Sequence, residues 1–220
     1  MDFFSKITHP GMQEFISKLK KCFEQPLPAE IAHKAMLPDI PRVGLVQNNN
    51  KSAPTKSSVL FLFYPFKVDI YTVFIERPFY NGVHSGQIAF PGGKIEKNDN
   101  NLLETALREA NEEIGINKDM VSITGELSKV YISPSNYIVT PYVGFYKDKP
   151  VFKRNTREVK QIIEVPFSEI LNQKSSQKAN VKSADGLKYE VPCFTVKNNI
   201  IWGATAMILN ELVVLWNSTN

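Results

Sequence analysis

Apolar residues return every three or four positions at Met12, Phe15, Ile16, Leu19 and Phe23, with Lys18, Lys20 and Lys21 filling the remainder of the turn. That spacing predicts an amphipathic helix over 11–24. Prolines at 26, 28, 38 and 41 then read as a link, and the polar run Gln47 to Thr55 as a solvated loop. The pattern changes at Val59-Leu-Phe-Leu-Phe-Tyr64, a nearly continuous apolar run, and again at Ile70-Tyr-Thr-Val-Phe-Ile75, rich in β-branched and aromatic residues. These are strands, and the short polar Lys67-Val-Asp69 between them makes a hairpin.

Further strands are expected at Val121–Ile132, Tyr137–Tyr146, Gln161–Val165 and Lys188–Val196, with Lys197-Asn-Asn199 turning into Ile200-Ile-Trp202. Ser168–Gln177 reads as a short helix, Lys178–Gly186 as a polar loop, and Ala204 to Trp216 as a closing helix. Strands and helices without strict alternation point to an α/β fold, a mixed sheet with helices on its faces.

Composition adds mainly exclusions. The 220 residues are 43% apolar and 22% charged, which rules out collagen-like and wholly disordered chains and suits one domain with embellishments. A net charge of +4 suits an anionic ligand but is too small and too dispersed to indicate nucleic acid. Cys22 and Cys193 cannot form a disulfide framework and read as small apolar side chains in a reducing, cytoplasmic setting. The opening MDFFSKITHP is unlike a signal peptide. Ile200 to Trp216, broken by Asn210 and Glu211, fits a buried helix rather than a membrane span.

The chemistry concentrates in 91–116. Wound as a helix, Leu103, Ala106, Leu107, Ala110 and Ile114 make an apolar stripe about 100° wide. Relative to Glu109, Glu112 falls at about −60° and Glu113 at about +40°, so three carboxylates share the face beside that stripe. Asn98 to Asn101 offer N-cap oxygens, and Gly115 suits the left-handed residue that ends a helix. Gly92 and Gly93, after the strand-like Ile88-Ala-Phe90, let backbone come close to whatever that face binds.

Crowded carboxylates repel one another, and Arg108 offsets them only in part. Hard divalent cations such as Mg²⁺ and Mn²⁺ supply a reason to keep them, since they take carboxylate and phosphate oxygens. With ordinary residue frequencies, R-E-x-x-E-E-x-G arises by chance about once per million positions.

The stretch resembles the Nudix box, matched at Gly93, Arg108, Glu109, Glu112, Glu113, Gly115 and Ile116. Two departures stand out: Asp99 takes the place of the loop glutamate, with eight residues between it and Arg108 where the box has seven, and Ala110 replaces a larger aliphatic residue. The first bears on the loop's internal salt bridge rather than on the carboxylates. The flanks are similar to the coenzyme A diphosphatase branch: Ile75-Glu-Arg77, the segment His84-Ser-Gly86 to Gly93, Thr105 to Ala110, and Ile201-Trp202-Gly203-Ala204-Thr205-Ala206. That branch often carries an arginine where Gly82 stands.

The resemblance implies a Nudix-like α/β/α sandwich over 57–220, with 1–56 as a lead-in packing on it. It implies Mg²⁺ or Mn²⁺ on Glu109 and Glu113, with Glu112 a third ligand or binding through water. The metal-dependent reaction would split coenzyme A or a thioester into 3′,5′-ADP and (acyl-)4′-phosphopantetheine. Arg108 and Glu112 join the catalytic group, and Glu158, in Arg157-Glu158-Val159, is the distal general-base candidate. Arg77 at a strand end, His84, and the backbone at Gly86 and Gly93 are the expected phosphate contacts. Lys147, Lys149, Lys153, Arg154, Arg157 and Lys160 would draw anions to that end of the sheet. His9 and His33 read as structural.

The partner expected is a small molecule, with neither nucleic acid nor membrane, and a homodimer is compatible with the chain. Two other readings remain open at this point. One is a Nudix hydrolase of ADP-ribose or a dinucleoside polyphosphate; the other is a catalytically silent nucleotide-binding regulator on the same fold.

Overall fold

A computed structural model describes residues 10–38, 52–173, 177–182 and 188–219. His9 and most of the polar run Gln47–Thr55 lie outside them. Two helices lead, α1 (Pro10–Phe23) and α2 (Ala29–Lys34), followed by strands β1 (Thr55–Phe66), β2 (Asp69–Glu76), β3 (Ile88–Ala89) and β4 (Gly92–Lys94). Helix α3 (Leu102–Ile114) precedes β5 (Val121–Glu126), β6 (Val130–Ile132), β7 (Tyr137–Tyr146) and β8 (Gln161–Pro166). The chain ends with α4 (Phe167–Leu171), β9 (Lys178–Lys182), β10 (Lys188–Pro192), β11 (Phe194–Val196), β12 (Asn199–Ile201) and α5 (Gly203–Ser218).

Strands β1 to β8 form one mixed sheet in which β1 runs antiparallel to β2 and β4 but parallel to β7. The apolar run in β1 is continuous because both faces of this central strand are covered. Leu60, Leu62 and Tyr64 pack with Val73, Ile75 and the Ala106, Ala110 and Ile114 stripe of α3. Phe61 and Phe63 turn to the opposite face, with Phe15 of α1, Phe167, and Leu209 and Leu212 of α5. Aromatic rings dominate this second layer: Phe15 meets Phe63 edge-on at 4.8 Å, and Phe61 lies 4.4 Å from Phe90. The α/β/α sandwich expected from the sequence is therefore present, with the hairpin between β1 and β2 turning at Lys67, whose φ is 57°.

Several expectations are corrected. Ala29–Lys34 is helical where only a link was read. The 121–132 strand breaks at Leu127, which turns inward to the core, and the 188–196 strand breaks at Cys193, whose N–H donates to the Gln177 carbonyl at 2.9 Å. Lys178–Lys182, read as loop, is β9, because backbone pairing with β10 outweighs its polar side chains. Asn210 and Glu211, which interrupt the apolar run of α5, are themselves buried within it. Among the described residues no helix is long and apolar enough to cross a membrane. Cys22 and Cys193 are buried free thiols, as the sequence suggested.

Candidate active site

Helix α3 starts and stops where its sequence says it should. Asn101 accepts from the Glu104 N–H at 2.9 Å as N-cap, and Gly115 ends the helix at φ 73°. Gly115 does a second thing the sequence did not disclose. A Cβ there would lie 2.7 Å from Cβ of Lys153, so glycine lets the 153–159 segment lie against the helix end. That segment donates from Lys153 N–H to the Ile114 carbonyl (2.8 Å) and from Asn155 N–H to the Glu113 carbonyl (3.0 Å). Orphan carbonyls at the helix end thereby fix the loop that carries Glu158.

The diglycine loop meets the other side of the helix. Gly92 donates its N–H to Oε2 of Glu113 at 2.9 Å, and its φ of 156° and contact with the Ser58 carbonyl leave no room for a side chain. A Cβ on Gly93 would sit 2.4 Å from Oε1 of Glu109. These two glycines bring bare backbone against the two inner carboxylates themselves, where the sequence pointed to a close approach to whatever that face binds.

Arg108 organises the rest. Its guanidinium holds Asp99 through two bonds, Nε to Oδ1 and Nη2 to Oδ2, both 2.9 Å. Nη1 reaches Glu109 at 3.0 Å and Glu112 at 2.9 Å, and Nη2 donates to the Lys94 carbonyl at 3.2 Å. Asp99 also accepts from Thr105 Oγ1 and the Glu96 N–H. The loop's internal salt bridge thus survives both the change from glutamate to aspartate and the extra residue, and Arg108 holds the Asp99 carboxyl well below the usual carboxylate range. The sequence marked Asp99 only as a departure.

The three helix carboxylates are not equivalent. Glu112 is exposed and bound to Arg108, whereas Glu113 is 4% exposed and Glu109 is half-buried. Burial pushes the Glu109 carboxyl up, and pushes that of Glu113 up to about 8. The Gly92 hydrogen bond and the Arg77 charge offset part of this for Glu113, while the Glu109 and Glu158 charges add to it. Glu158 is exposed, and its charge adds to the raising of both Glu109 and Glu113.

Arg77 leaves β2 towards the same place. Nη2 donates to the Gly92 carbonyl at 3.4 Å, its backbone N–H donates to the Gln87 carbonyl, and its charge is felt by His84. His84 pairs through Nδ1 with Oε1 of Gln87 at 3.1 Å, and burial lowers its basicity. Gly86, at φ 67°, closes this loop against the Phe79 ring, which a Cβ would meet at 2.5 Å. The basic set is only partly available: Lys149 pairs with Glu164, Lys160 with Glu76, and Arg154 donates to the Lys160 carbonyl.

Residues 56–184 match the NUDIX domain family. The chain belongs to that family. It is 39% identical over 129 residues to the uncharacterized Nudix hydrolase NudL of Photorhabdus laumondii, covering 59% of this chain and 68% of that one. The NudL protein of Yersinia pestis (strain Pestoides F) is 38% identical over the same length, 64% of its own chain. The chain therefore spans about two thirds of the length of the relatives it matches. A Nudix hydrolase from M. Smegmatis, RenU, superposes with a TM-score of 0.50 at 16% identity, over 73% of this chain and 84% of that one, which supports the fold. It is a Nudix hydrolase, an enzyme acting on diphosphate bonds.

The donor set suits a hard cation in a restricted way. Among the described residues no group of three or more His, Cys, Asp or Glu side chains is assembled to hold an ion. Glu109 and Glu113, one turn apart, nevertheless each keep an oxygen that accepts no hydrogen bond among the described residues, Oε2 and Oε1 respectively. Two partly desolvated carboxylates with a free oxygen apiece match the one or two protein carboxylates that Mg²⁺ commonly takes. Glu112, spent on Arg108, is the weaker donor.

Proposed function

We propose that the chain hydrolyses the diphosphate of coenzyme A or its thioesters, releasing 3′,5′-ADP and (acyl-)4′-phosphopantetheine, with Mg²⁺ or Mn²⁺ as cofactor. The observation that carries the hydrolytic reading is the pair of unspent oxygens on Glu109 and Glu113, set against the bare backbone of Gly92 and Gly93 beside Arg77. Coenzyme A is favoured over other nucleoside diphosphate derivatives by the flanking segments His84 to Gly93 and Ile201 to Ala206, which resemble the coenzyme A diphosphatase branch.

A divalent ion on Glu109 and Glu113 would neutralise the pyrophosphate and make a bound water more acidic. The protein's own contribution is positioning and proton handling. Arg77 and the Gly92–Gly93 backbone orient phosphate oxygens, and Arg108 keeps Glu109 and Glu112 in place through the Asp99 anchor. Water oxygen bonds to one phosphorus, the bridging P–O bond breaks, and the leaving phosphate departs with the electron pair. The water proton goes to a carboxylate, for which Glu158 is the distal candidate because its loop is fixed to the end of α3. Residues 57–220 carry this chemistry, and α1 and α2 complete the core from the face opposite α3.

Incubation of the purified protein with Mg²⁺ or Mn²⁺ and either coenzyme A or ADP-ribose tests the reading. The expected result is 3′,5′-ADP and 4′-phosphopantetheine from coenzyme A, at a higher kcat/KM than for ADP-ribose. A clear preference for ADP-ribose overturns it. Glu158→Gln is expected to lower kcat with little change in KM; an unchanged kcat removes Glu158 from the mechanism.

A further inference from the structure

A second hollow, of about 430 Å³, opens beside the 82–88 loop and is walled on its other side by the C-terminal hairpins, with Gly82, Gln87, Asn180, Asn199, Ile200 and Trp202 among its lining. It shares no residue with the acidic cluster. It is nonetheless joined to the phosphate-facing side, because Gln87 lines it while accepting the Arg77 N–H on its carbonyl and pairing with His84 on its side chain. The hairpin wall is set by a tight turn: Lys197 (φ 47°) and Asn198 (φ 65°) are both left-handed, as in a two-residue type I′ connection, and this places Asn199 and Ile200 at the mouth.

The chemistry of the walls is specific in kind. Among the described residues no lysine or arginine lines the hollow, and the one charged residue among them, Glu76, is neutralised by Lys160 at 2.6 Å. Gly82 keeps that wall uncharged and open; a Cβ there would meet the Tyr80 ring at 2.4 Å. What the hollow offers is neutral hydrogen bonding beside apolar surface. The Trp202 indole N–H and the Asn180 side-chain amide make no hydrogen bond among the described residues, and Ile200 and Val181 supply the apolar part. Such a site selects an uncharged group rich in amides, since a phosphate would be desolvated there without a cation.

We propose that this hollow is the subsite for the pantetheine arm of the substrate, with Trp202 and Asn180 as specificity-determining residues. The inference rests on the coenzyme A reading. Of the two halves of that molecule, the nucleotide carries an additional 3′-phosphate and does not fit an uncharged hollow, whereas the other half is a neutral chain with two amide groups. Arg77 then lies where the diphosphate joins them, with the arm running past Gln87 towards the C-terminal hairpins.

Two measurements separate this proposal from the coenzyme A reading. In the first, pantetheine alone is titrated into ¹⁵N-labelled protein and the two indole N–H signals are followed, from Trp202 and from Trp216. Trp216 packs against Phe15 at 4.7 Å and serves as internal control. The expected result is a saturable shift of the Trp202 signal alone; no shift overturns the subsite whatever the enzyme hydrolyses. In the second, Trp202→Ala and Asn180→Ala are expected to raise KM for coenzyme A by roughly tenfold and threefold. Their kcat and the inhibition constant of 3′,5′-ADP should stay at the parent values. Asn180 is exposed on a two-stranded sheet, so its variant tests the idea even where the Trp202 change impairs folding. An inhibition constant for 3′,5′-ADP that rises in step with KM assigns the hollow to the nucleotide half and overturns the proposal, as does an unchanged KM. A parent enzyme inactive on coenzyme A whose Trp202 signal still responds to pantetheine overturns the substrate reading and supports the subsite.

Discussion

Glu113 and Glu211 lie on helices packed against opposite faces of one sheet, α3 and α5, and both carboxylates are withdrawn from water at 4% and 0% exposure. Their surroundings treat them in opposite ways. Glu211 receives the Ser128 N–H at 3.2 and 3.3 Å and meets Nε2 of His33 at 3.0 Å. Burial raises its carboxyl, but the His33 and Ser128 hydrogen bonds outweigh burial and hold it below its ordinary value. Glu113 has one donor among the described residues, the Gly92 N–H, and remains raised to about 8. Burying a charge costs several kcal/mol unless donors or counter-charges offset it. A fully served carboxylate is an internal strut between α2, α5 and the segment at Ser128. An under-served one at the rim of a glycine loop is what the proposed metal-holding role of Glu113 calls for.

Substitution should separate the two most sharply. Glu113→Gln and Glu109→Gln are expected to lower kcat for diphosphate hydrolysis by roughly a hundredfold or more. Thermal stability should be unchanged or raised, since each replaces a poorly solvated ionisable carboxyl by a neutral amide. Glu211→Ala is expected to do the reverse: a loss of about 3 kcal/mol in chemical denaturation, because the Ser128 N–H loses its acceptor, with unchanged kcat per folded molecule. Full activity in Glu113→Gln, or a selective loss of activity in a stable Glu211→Ala, erases the distinction.

The pH dependence of stability in metal-free protein sharpens it further. A carboxyl with a raised folded pKa favours the fold while protonated. The Glu113 contribution is therefore fully present below its ordinary value of 4.5 and lost as the pH rises through about 8. Glu211 has the opposite sign: its contribution is present above 4.5 and lost as the pH falls through its lowered folded value. Denaturation in chelator should show Glu113→Gln flattening the slope between pH 4.5 and 8, with Glu211→Gln flattening only the acid limb. If Glu113→Gln leaves the neutral limb unaltered, the Glu113 carboxyl is better served than its contacts imply.

The same pair explains what could be read in advance. A helical stripe beside Glu109 and Glu113 is a matter of one helix and its period: Ala106, Ala110 and Ile114 are buried as expected and Leu107 partly so, while Leu103 stays outside that core. The apolar runs of β1 and β2 likewise announced a buried, two-sided sheet. What could not be read depended on partners far along the chain. Gly115 gave no sign that it admits Lys153, nor Gly92 that its N–H is reserved for Glu113. Glu211 looked like an interruption in an apolar helix because its donors come from residues 83 and 178 positions away. Lys178–Lys182 looked like loop because strand pairing with β10 is written in the backbone.

A smaller effect is expected from the anchor beneath the cluster. Asp99→Asn keeps the shape but removes the charge facing Arg108, and frees the guanidinium to pull harder on Glu109 and Glu112. Because the pair is shielded on the Asp99 side and reinforced by Thr105, a loss of about 1 kcal/mol in stability is expected. A fall in kcat of up to about tenfold should accompany it as Glu109 loses its fixed position. A change confined to stability would reduce Asp99 to a loop brace.

The smallest effect should come from the residue next to Glu211. Asn210 is buried in α5, donates Nδ2 to the Ala32 carbonyl at 2.8 Å, and leaves Oδ1 without a partner among the described residues. Asn210→Leu removes a hydrogen bond worth about 1 kcal/mol and also removes a buried oxygen whose lack of a partner costs about as much, while filling a similar volume with apolar surface. The two contributions nearly cancel, so the melting midpoint should move within a few degrees of the parent, and kcat not at all. Glu211 one residue later cannot be exchanged this way, because its three donor contacts come from two other segments. A large destabilisation in Asn210→Leu would mean that the α2–α5 contact is held by the Ala32 hydrogen bond rather than by the His33–Glu211 strut.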